Sequence, residues 1–518
     1  MAYGHAQTYP MRPLLIFPMV FLLMACQPPK AGEAGRAASA KAGEEVALTD
    51  IKSSVVRINA TQQSWNPWQP WEKNPPRQCR ALAAIVGPQH VLTTSEMVSD
   101  ATYLEFESAD GTRFAPAVVI AVDYEANLAL LGPASQKEGD ALFAQSTPMP
   151  LVTPPPKIGG SLEILQLEDN GLTLLTQGTL QSIDVTANLL PGHHFLTYMV
   201  KASMQSAASS YSLPVLQGGK LAGVLMSYNS KEQICDVTST DIITRFLEEA
   251  GHGTYAGFPS LGVATARTED ASLREWLKLS DAQGGLYIQK VRKGGAAAVA
   301  GVLPGDVLLA VDGQAIDRRG YYQHPHYGSL SWGHLICGEK STGDGVTLTL
   351  QRLGKTLEIN ATLTREADSA RLVPNQWFDK PPNFLVKGGL VFQELSRPIL
   401  ESFGEDWASR APLNLLDAYE NPEKYADSVN RIVFLSGVIP TPATVGYERL
   451  RNLIVKKVNG QPIKDIKSLM AAFQSAPGPL HAIEFSDENL TVYLDETVIT
   501  RVDAELLQRG ITRLSRAQ

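Results

Sequence analysis

Hydrolysis by a serine side chain requires the serine as nucleophile, a base that takes its proton, and a group that orients the base. The residue types offer Ser212 with Lys201 as one conceivable serine–lysine pair. Nine histidines are also available as bases, and His193 and His194 follow Pro191-Gly192 in what we predict to be a loop. In neither arrangement does the spacing in the sequence place a base beside a serine. The residue types therefore allow a peptidase site but do not support one.

A second group of side chains has donor atoms for a metal. His324-Pro325-His326 and His334 are imidazole-bearing, but no acidic cluster adjoins them, and we predict a loop with no metal. Cys79 and Cys235 either pair in an oxidising compartment, which leaves Cys337 free, or all three are small buried residues. The sequence has no P-loop and no glycine-rich dinucleotide motif after a strand, so we expect no cofactor.

The composition narrows the class of protein. The chain has 518 residues, enough for three or four domains. Hydrophobic residues make up 44% and charged residues 19%, which excludes a mainly disordered chain. The formal net charge is −8, and binding to nucleic acid needs basic surface, so we expect no nucleic-acid partner.

The N-terminal segment has the pattern of an export signal. An apolar run over residues 14–24 is short for a membrane span and ends in Leu23-Met24-Ala25-Cys26, which resembles a bacterial lipobox. We predict a signal peptide over residues 1–26, lipidation of Cys26, and a flexible tether over residues 27–49. The resemblance implies an envelope protein that is held at the outer membrane and faces the periplasm. The alternatives are an uncleaved anchor and a chance apolar run.

From residue 50 the chain consists of short apolar runs separated by glycine and proline, which predicts an all-β barrel or sandwich over residues 50–252. A helix over residues 239–251 closes this domain. The predicted strands cover residues 54–58, 82–86, 91–94, 118–122, 128–131, 161–165, 172–177 and 221–226.

The loop between the first two predicted strands is unusually aromatic. Trp65-Asn66-Pro67-Trp68-Gln69-Pro70-Trp71 has three tryptophans in seven residues. Such a loop is either a contact surface for a peptide or a membrane, or a set of rings packed over the mouth of the barrel. We expect the packed arrangement.

Two later segments repeat each other. Val311-Asp312-Gly313-Gln314-Ala315-Ile316 matches Val458-Asn459-Gly460-Gln461-Pro462-Ile463, and both Asp-Gly and Asn-Gly favour tight hairpin turns. The repeat predicts two copies of one module, over residues 255–366 and 376–518.

A β-rich domain followed by two such modules resembles the HtrA/Deg family of trypsin-like serine proteases with PDZ domains. Ser260-Leu261-Gly262-Val263 is similar to the family's carboxylate-binding loop, and residues 301–308, Gly-Val-Leu-Pro-Gly-Asp-Val-Leu, are similar to the PDZ signature. The module at residues 376–518 resembles the divergent second PDZ of the larger plant-type members. The resemblance implies a mainly β chain with a chymotrypsin-like double β-barrel followed by two α+β PDZ domains.

The positions that match the family's catalytic triad carry other residues. Glu96 stands in Leu92–Val98 where the family has histidine, Asn127 stands before Leu128 where it has aspartate, and Tyr211 stands three residues before Pro214 where it has serine. A glutamate is ionised at neutral pH and a tyrosine hydroxyl has a pKa of ~10, so neither does the work of the residue it replaces. The apolar residues around all three positions are kept, which predicts an intact scaffold without triad chemistry.

The sequence therefore predicts a catalytically inactive HtrA/Deg-like envelope lipoprotein that binds unfolded or C-terminal segments of envelope proteins as a chaperone, adaptor or regulator. Capture is expected at Leu261, Gly262 and Val263, because PDZ modules add an extended peptide to a sheet edge and hold its carboxylate with backbone N–H groups. The resemblance also implies that the second PDZ serves assembly and that the chain forms a homo-oligomer, a trimer or a multiple of one. The alternatives are an active serine endopeptidase with a non-standard site and a structural lipoprotein without a peptide ligand.

Overall fold

The computed structural model describes residues 51–168, 171–204, 212–475, 478–486 and 490–518. All of them belong to one compact unit, Val46–Gln518. The predicted signal peptide, Cys26, the tether and Tyr211 lie outside the described residues. No helix within the described ranges is both long and apolar enough to span a membrane.

The first domain begins with a closed six-stranded barrel in the order β1-β2-β3-β6-β5-β4. Apolar side chains such as Ile58, Phe106 and Leu131 alternate into its interior and are fully buried. A short 3₁₀ turn, Ser95–Met97, follows β3. The elements are β1 (Val55–Gln62), β2 (Arg77–Gly87), β3 (His90–Thr93), β4 (Ala101–Ser108), β5 (Phe114–Asp123), β6 (Leu128–Pro133) and α1 (Gln136–Phe143).

A second closed barrel follows, in the order β10-β11-β12-β9-β8-β7. The helix predicted to close the domain begins where Ser239 Oγ accepts the N–H of Ile242, and it buries Ile242, Ile243 and Phe246 as expected. The elements are β7 (Ser161–Leu167), β8 (Thr173–Thr186), β9 (Phe195–Ala202), β10 (Pro214–Gln217), β11 (Lys220–Asn229), β12 (Ile234–Ser239) and α2 (Thr240–Gly251). The predicted double barrel is confirmed.

The first PDZ domain has a sheet in the order β13-β14-β15-β19-β20, with β13 at its edge. The predicted Asp-Gly hairpin is confirmed, since Asp312 and Gly313 have φ values of 46° and 77° between paired strands. The elements are β13 (Val263–Ala266), α3 (Ala271–Trp276), β14 (Leu286–Val291), α4 (Ala296–Ala300), β15 (Val307–Val311), β16 (Gln314–Ala315), β17 (Tyr321–His324), β18 (Gly328–Ser331), α5 (His334–Cys337), β19 (Gly345–Arg352) and β20 (Lys355–Thr362).

The second PDZ domain has a longer sheet, β27-β26-β24-β23-β22-β21-β28, and three helices inserted after β22 that pack in a separate apolar cluster with Phe434 and Ile454 of the sheet. The Asn459-Gly460 turn repeats the hairpin of the first PDZ. The elements are β21 (Phe384–Lys387), β22 (Leu390–Glu394), α6 (Arg397–Glu401), α7 (Trp407–Arg410), α8 (Leu413–Glu420), β23 (Val433–Val438), β24 (Leu453–Val458), β25 (Gln461–Pro462), α9 (Ile466–Gln474), β26 (Leu480–Phe485), β27 (Thr491–Asp495), α10 (Glu496–Gln508) and β28 (Ser515–Arg516).

The packing of the tryptophan-rich loop differs from our prediction. Its rings do not pack over the barrel mouth but against the second PDZ domain. Trp71 is 8% exposed within an apolar cluster that includes Phe384, at a ring distance of 6.2 Å. Trp68 meets the ring of Phe403 edge-on at 5.3 Å. The loop therefore joins the first barrel to the second PDZ by apolar burial.

Arg516 of β28 completes this contact. Its guanidinium lies 4.2 Å from the ring centre of Trp65 and 5.4 Å from that of Phe384. It also donates to the carbonyl oxygens of Pro70 and Pro382, both at 3.3 Å. A cation held between two rings and two carbonyls fixes β28 against both domains.

Arg516→Ala removes all four of these contacts. We expect the free energy of opening β28 to fall by about 2 kcal/mol. The amide of Val386 reports this opening, because its N–H donates to the carbonyl of Leu514 at 2.6 Å, and its hydrogen exchange should become faster. Arg513→Ala, a change at an exposed arginine three residues earlier, is the control. Equal exchange at Val386 in both variants would contradict the assignment.

Candidate functional site

The structure brings Glu96 and Asn127 into contact beside the ends of β3 and β6. Asn127 comes directly before β6, is buried, and has a φ of 55°. Its side-chain Oδ1 accepts the backbone N–H of Glu96 at 3.1 Å and the hydroxyl of Ser95 at 3.0 Å. Two of the three positions matched to the triad thus lie together, with Asn127 bonded to the backbone of the residue that it would orient.

The chemistry of this pair differs from that of histidine and aspartate. Burial raises the pKa of the Glu96 carboxyl, and the nearby charge of Arg77 opposes that rise. In a working triad the aspartate stabilises the imidazolium that forms when serine gives up its proton. Asn127 is neutral and Glu96 forms no cation, so this pair performs no such step.

Ser212, the alternative nucleophile, is buried and hydrogen-bonded in the interior of the protein. It is 1% exposed, with a φ of 62°. Its Oγ lies 2.5 Å from Thr93 Oγ1 and accepts the N–H of Thr94 at 3.0 Å. Lys201 is exposed and donates to the carbonyl of Glu232 instead. The serine–lysine pair that the residue types allowed is therefore not formed.

His193 has a buried partner that sequence reasoning missed. Its Nδ1 lies 2.9 Å from Glu125 Oε2, and both side chains are almost fully buried. Arg365 and Arg371 approach the same carboxylate at 4.0 and 3.8 Å. Burial favours a raised pKa for Glu125, but His193 and the two arginines outweigh it and hold that pKa below its ordinary value. We call these four residues the junction cluster, because they join both barrels to the segment after the first PDZ.

The predicted carboxylate-binding loop leads into the edge strand β13. Gly262 has a φ of 76°, a conformation that glycine adopts without strain. Its N–H donates to Ser260 Oγ at 3.1 Å, and its carbonyl accepts the N–H of Arg292 at 2.9 Å. The carbonyl of the buried Leu261 accepts the N–H of Ala297 at 2.9 Å. The hydrogen bonds from Arg292 and Ala297 therefore fix the loop in place. Among the described strands, β13 pairs only with β14.

The corresponding edge of the second PDZ is covered. The repeated hairpin turns end β15 and β24, and β13 and β22 each lie two places away from those strands in the sheet order, so β22 is the counterpart of β13. In the structure, β21 of the same chain pairs antiparallel with β22, and β28 pairs in turn with β21, with Arg516 opposite Phe384. Strand addition of the kind expected for a peptide ligand is made there by the chain itself.

The histidine hairpin offers poor geometry for a metal. Donor atoms of His324, His334 and Glu339 lie within 4.8 Å of one another. However, Nδ1 of His324 accepts the N–H groups of His326 and Tyr327 at 3.2 and 3.1 Å. The ring proton of a neutral His324 is therefore on Nε2, the nitrogen that would have to bind the metal.

The three described cysteines are free thiols. The Sγ of Cys79 lies 3.1 Å from Gln62 Oε1, and that of Cys235 lies 3.7 Å from the sulfur of Met204. Burial raises the pKa of both Cys235 and Cys337 to about 12. The small-buried-residue alternative therefore describes Cys235 and Cys337, whereas Cys79 is half-buried.

Comparison with known proteins decides the family. Models described as PDZ domain match residues 259–363 and 373–513, which are the two modules of the internal repeat. Relatives from Arabidopsis thaliana include Protease Do-like 2, chloroplastic, which is 25% identical over 447 residues, 85% of this chain and 71% of that protein. Protease Do-like 4, mitochondrial, is 23% identical over 435 residues, 83% of this chain and 79% of that protein.

The chain belongs to the HtrA/Deg family. It has the family's order of domains, two closed barrels and then two PDZ domains. Among solved structures, HtrA-type protease AlgW with decapeptide is similar to it with a TM-score of 0.46 and 18% identity, covering 62% of this chain and 98% of that one. In this HtrA/Deg protein, Glu96 and Asn127 lie in the first of the two closed barrels.

Glu125→Gln removes the buried carboxylate of the junction cluster. At pH 7 we expect a loss of about 3 kcal/mol in the free energy of unfolding, as when one partner of a buried ion pair is removed. The pKa of Glu125 lies below its ordinary value of 4.5, so its contribution is complete above that pH and is lost as the pH falls through the lower folded-state pKa. Urea unfolding between pH 7 and pH 3 should show the two proteins converging.

Asp427→Asn is the matched control for this prediction. It removes a carboxylate whose partner is the exposed Lys293, and it should leave the unfolding curve unchanged. A difference between the natural chain and the Glu125 variant that does not change with pH would contradict the role assigned to the carboxylate.

Proposed function

We propose that this HtrA/Deg protein binds extended segments of envelope proteins without cleaving them, and acts as a chaperone, adaptor or regulator in protein quality control. The observation that carries the proposal is the neutral Asn127 oxygen bonded to the backbone of Glu96, where a protease of this fold needs a carboxylate behind an imidazole. Lipidation at Cys26, a position at the outer membrane facing the periplasm, and a trimeric assembly are parts of the same proposal.

The state of Ser212 supports the absence of proteolysis. A nucleophilic hydroxyl must give its proton to a base while it approaches the substrate carbonyl. The Ser212 hydroxyl instead contacts Thr93 and Thr94 in the interior. Exposing it would break both hydrogen bonds and leave a buried N–H unpaired, at a cost of about 1–3 kcal/mol.

The first PDZ supports peptide capture. Strand β13 is at a sheet edge, and the loop before it contains Gly262 in the left-handed conformation. The apolar side chains of Leu261 and Val263 flank that glycine. An extended peptide that pairs with β13 would bring its end to Leu261, Gly262 and Val263.

Cleavage of unfolded casein tests the absence of proteolysis. We expect no cleavage by the natural chain and measurable cleavage by the triple variant Glu96→His, Asn127→Asp, Tyr211→Ser, at least about 10³-fold above background. The matched control carries Glu96→His and Asn127→Asp with Tyr211→Ala. Cleavage by the natural chain that disappears in Ser212→Ala or Lys201→Ala, together with labelling by a fluorophosphonate, would instead make the chain an active endopeptidase.

Gly262→Leu tests peptide capture. A Cβ at Gly262 would lie 3.4 Å from Arg292 Nη2 on a backbone with a φ of 76°, so the loop must move and we expect binding to a peptide array to be lost. Gly294→Leu is a matched control, because Gly294 has a φ of 75° and no atom within 4 Å of its Cβ position. An array that binds equally to both variants would overturn the site, and an array that never binds the natural chain would favour a structural lipoprotein.

A further inference from the structure

A cavity of about 570 Å³ lies where the first barrel and the first PDZ meet the segment that leads to the second PDZ. Its wall includes Glu125 in the turn between β5 and β6, Tyr255 in the linker before the first PDZ, and side chains of residues 364–380. This volume is in the range of small-molecule sites. The cavity is separate from the Glu96–Asn127 contact and from strand β13, because no described residue of either lines it.

The carboxylate of Glu125 lies in this wall with an oxygen that no donor reaches. Glu125 is 4% exposed, and among the described residues no group donates a hydrogen bond to its Oε1. Arg371 Nη2 approaches this atom only to 3.8 Å, which is beyond hydrogen-bond distance. A Cβ at Gly192 would lie 3.9 Å from Oε1, so the glycine keeps space free beside it. A buried acceptor without a donor is costly, and the cavity therefore favours a ligand that brings an N–H group to Oε1.

The arginines near Glu125 are engaged more closely with other carboxylates. Arg365 Nη2 lies 3.2 Å from Asp123 Oδ2 but 4.0 Å from Glu125. Arg371 Nη2 lies 3.4 Å from Glu366 Oε2 but 3.8 Å from Glu125. Glu125 therefore keeps the capacity to bind a further positively charged donor. An ammonium group, with three N–H donors, matches an ionised carboxylate in charge and in hydrogen bonding.

The same wall has an unused charge of the opposite sign. Lys380 lines the cavity, is exposed, and pairs with no carboxylate among the described residues. The other two charged residues of the wall are occupied. Arg365 is beside Asp123, and Asp368 accepts the backbone N–H of Asn375 at 3.0 and 3.1 Å. The wall thus holds two carboxylates and two cations, with one group of each sign left for a ligand.

Much of the remaining wall is apolar or aromatic. Val122, Leu190 and the rings of Tyr124 and Tyr255 line the cavity. The hydroxyls of both tyrosines already donate to aspartates of the protein, so these residues contribute mainly ring surface. An aliphatic side chain placed against this surface would be removed from water.

We propose that this cavity binds a small zwitterion with an aliphatic side chain, its ammonium at Glu125 and its carboxylate at Lys380. The ligand class is a free amino acid or a peptide of two residues, since both have one ammonium, one carboxylate and no net charge. A polyamine or an inorganic anion fits less well, because each meets a like charge in the wall. The inference does not depend on peptide capture at β13.

Leucine and two of its analogues provide the test. Saturation-transfer NMR on the purified whole chain at pH 7 gives dissociation constants for leucine, dileucine, 3-methylbutylamine, which is leucine without its carboxylate, and 4-methylpentanoate, which is leucine without its ammonium. We expect at least one of the two zwitterions to bind, and each analogue to bind at least about tenfold more weakly. The tighter of leucine and dileucine then distinguishes an amino acid from a short peptide as the ligand.

Two variants assign the ends of the ligand. Lys380→Gln should weaken the zwitterion about tenfold and leave 3-methylbutylamine unchanged, because only the carboxylate loses its partner. Lys355→Gln, a change at an exposed lysine of β20, is the matched control. Glu125→Gln, once its urea curve shows that it is folded at pH 7, should weaken the zwitterion and leave 4-methylpentanoate unchanged.

Each other outcome overturns a specific statement. If neither zwitterion binds, the cavity is not a site for this ligand class. If 4-methylpentanoate binds as tightly as leucine, Glu125 does not hold an ammonium, and this result stands even where Glu125→Gln fails to fold. If 3-methylbutylamine binds as tightly, the carboxylate has no partner in the wall. Equal affinity for the zwitterion in Lys380→Gln and Lys355→Gln removes Lys380 from the site.

Discussion

The oxygen of the Asn127 carboxamide holds the first barrel together where chemistry would take place. It accepts the N–H of Glu96 and the hydroxyl of Ser95, and so it ties the turn after β3 to the start of β6. Ser212 extends the same bond network into the second barrel through the N–H of Thr94. A neutral oxygen accepts these hydrogen bonds as a carboxylate does. The local geometry therefore survives the loss of charge, whereas general-base catalysis does not.

The two PDZ domains are attached to the barrels by different forces. The second PDZ is held by buried rings and by Arg516 between Trp65 and Phe384, contacts that salt screens little. The first PDZ is held near the junction cluster, where Glu125 sits among His193 and two arginines. Buried ionic contacts of that kind are costly to leave unpaired, so they favour one arrangement of the domains over others.

Much of the fold was predictable from local pattern. All eight predicted strands overlap strands of the two barrels, because each contains a short run rich in apolar residues. The strands missed were β4, β9, β10 and β12. Charged or polar residues interrupt β4 and β12, so these two strands offered no continuous apolar run. The Glu96–Asn127 contact was predictable only through the family resemblance.

The wrong or missing predictions about packing concern contacts between distant parts of the chain. The tryptophan loop was expected over its own barrel, but Gln393 donates to the carbonyl of Pro67 across 326 residues. His193 and Glu125 carry no spacing signal that relates them. Periodicity reports which face of an element is buried, and it contains no information about which other domain covers that face.

The two PDZ modules show how one repeat can be used in two ways. In the first, Leu261 and Gly262 stand directly before the edge strand β13. In the second, the counterpart strand β22 is not at the edge of the sheet, because β21 pairs with it antiparallel. The chain's own β28 then pairs with β21, and Arg516 donates to the Pro382 carbonyl. The position that an extended peptide would take beside β13 is therefore filled by the chain itself in the second PDZ, and β22 has no free edge to offer a ligand.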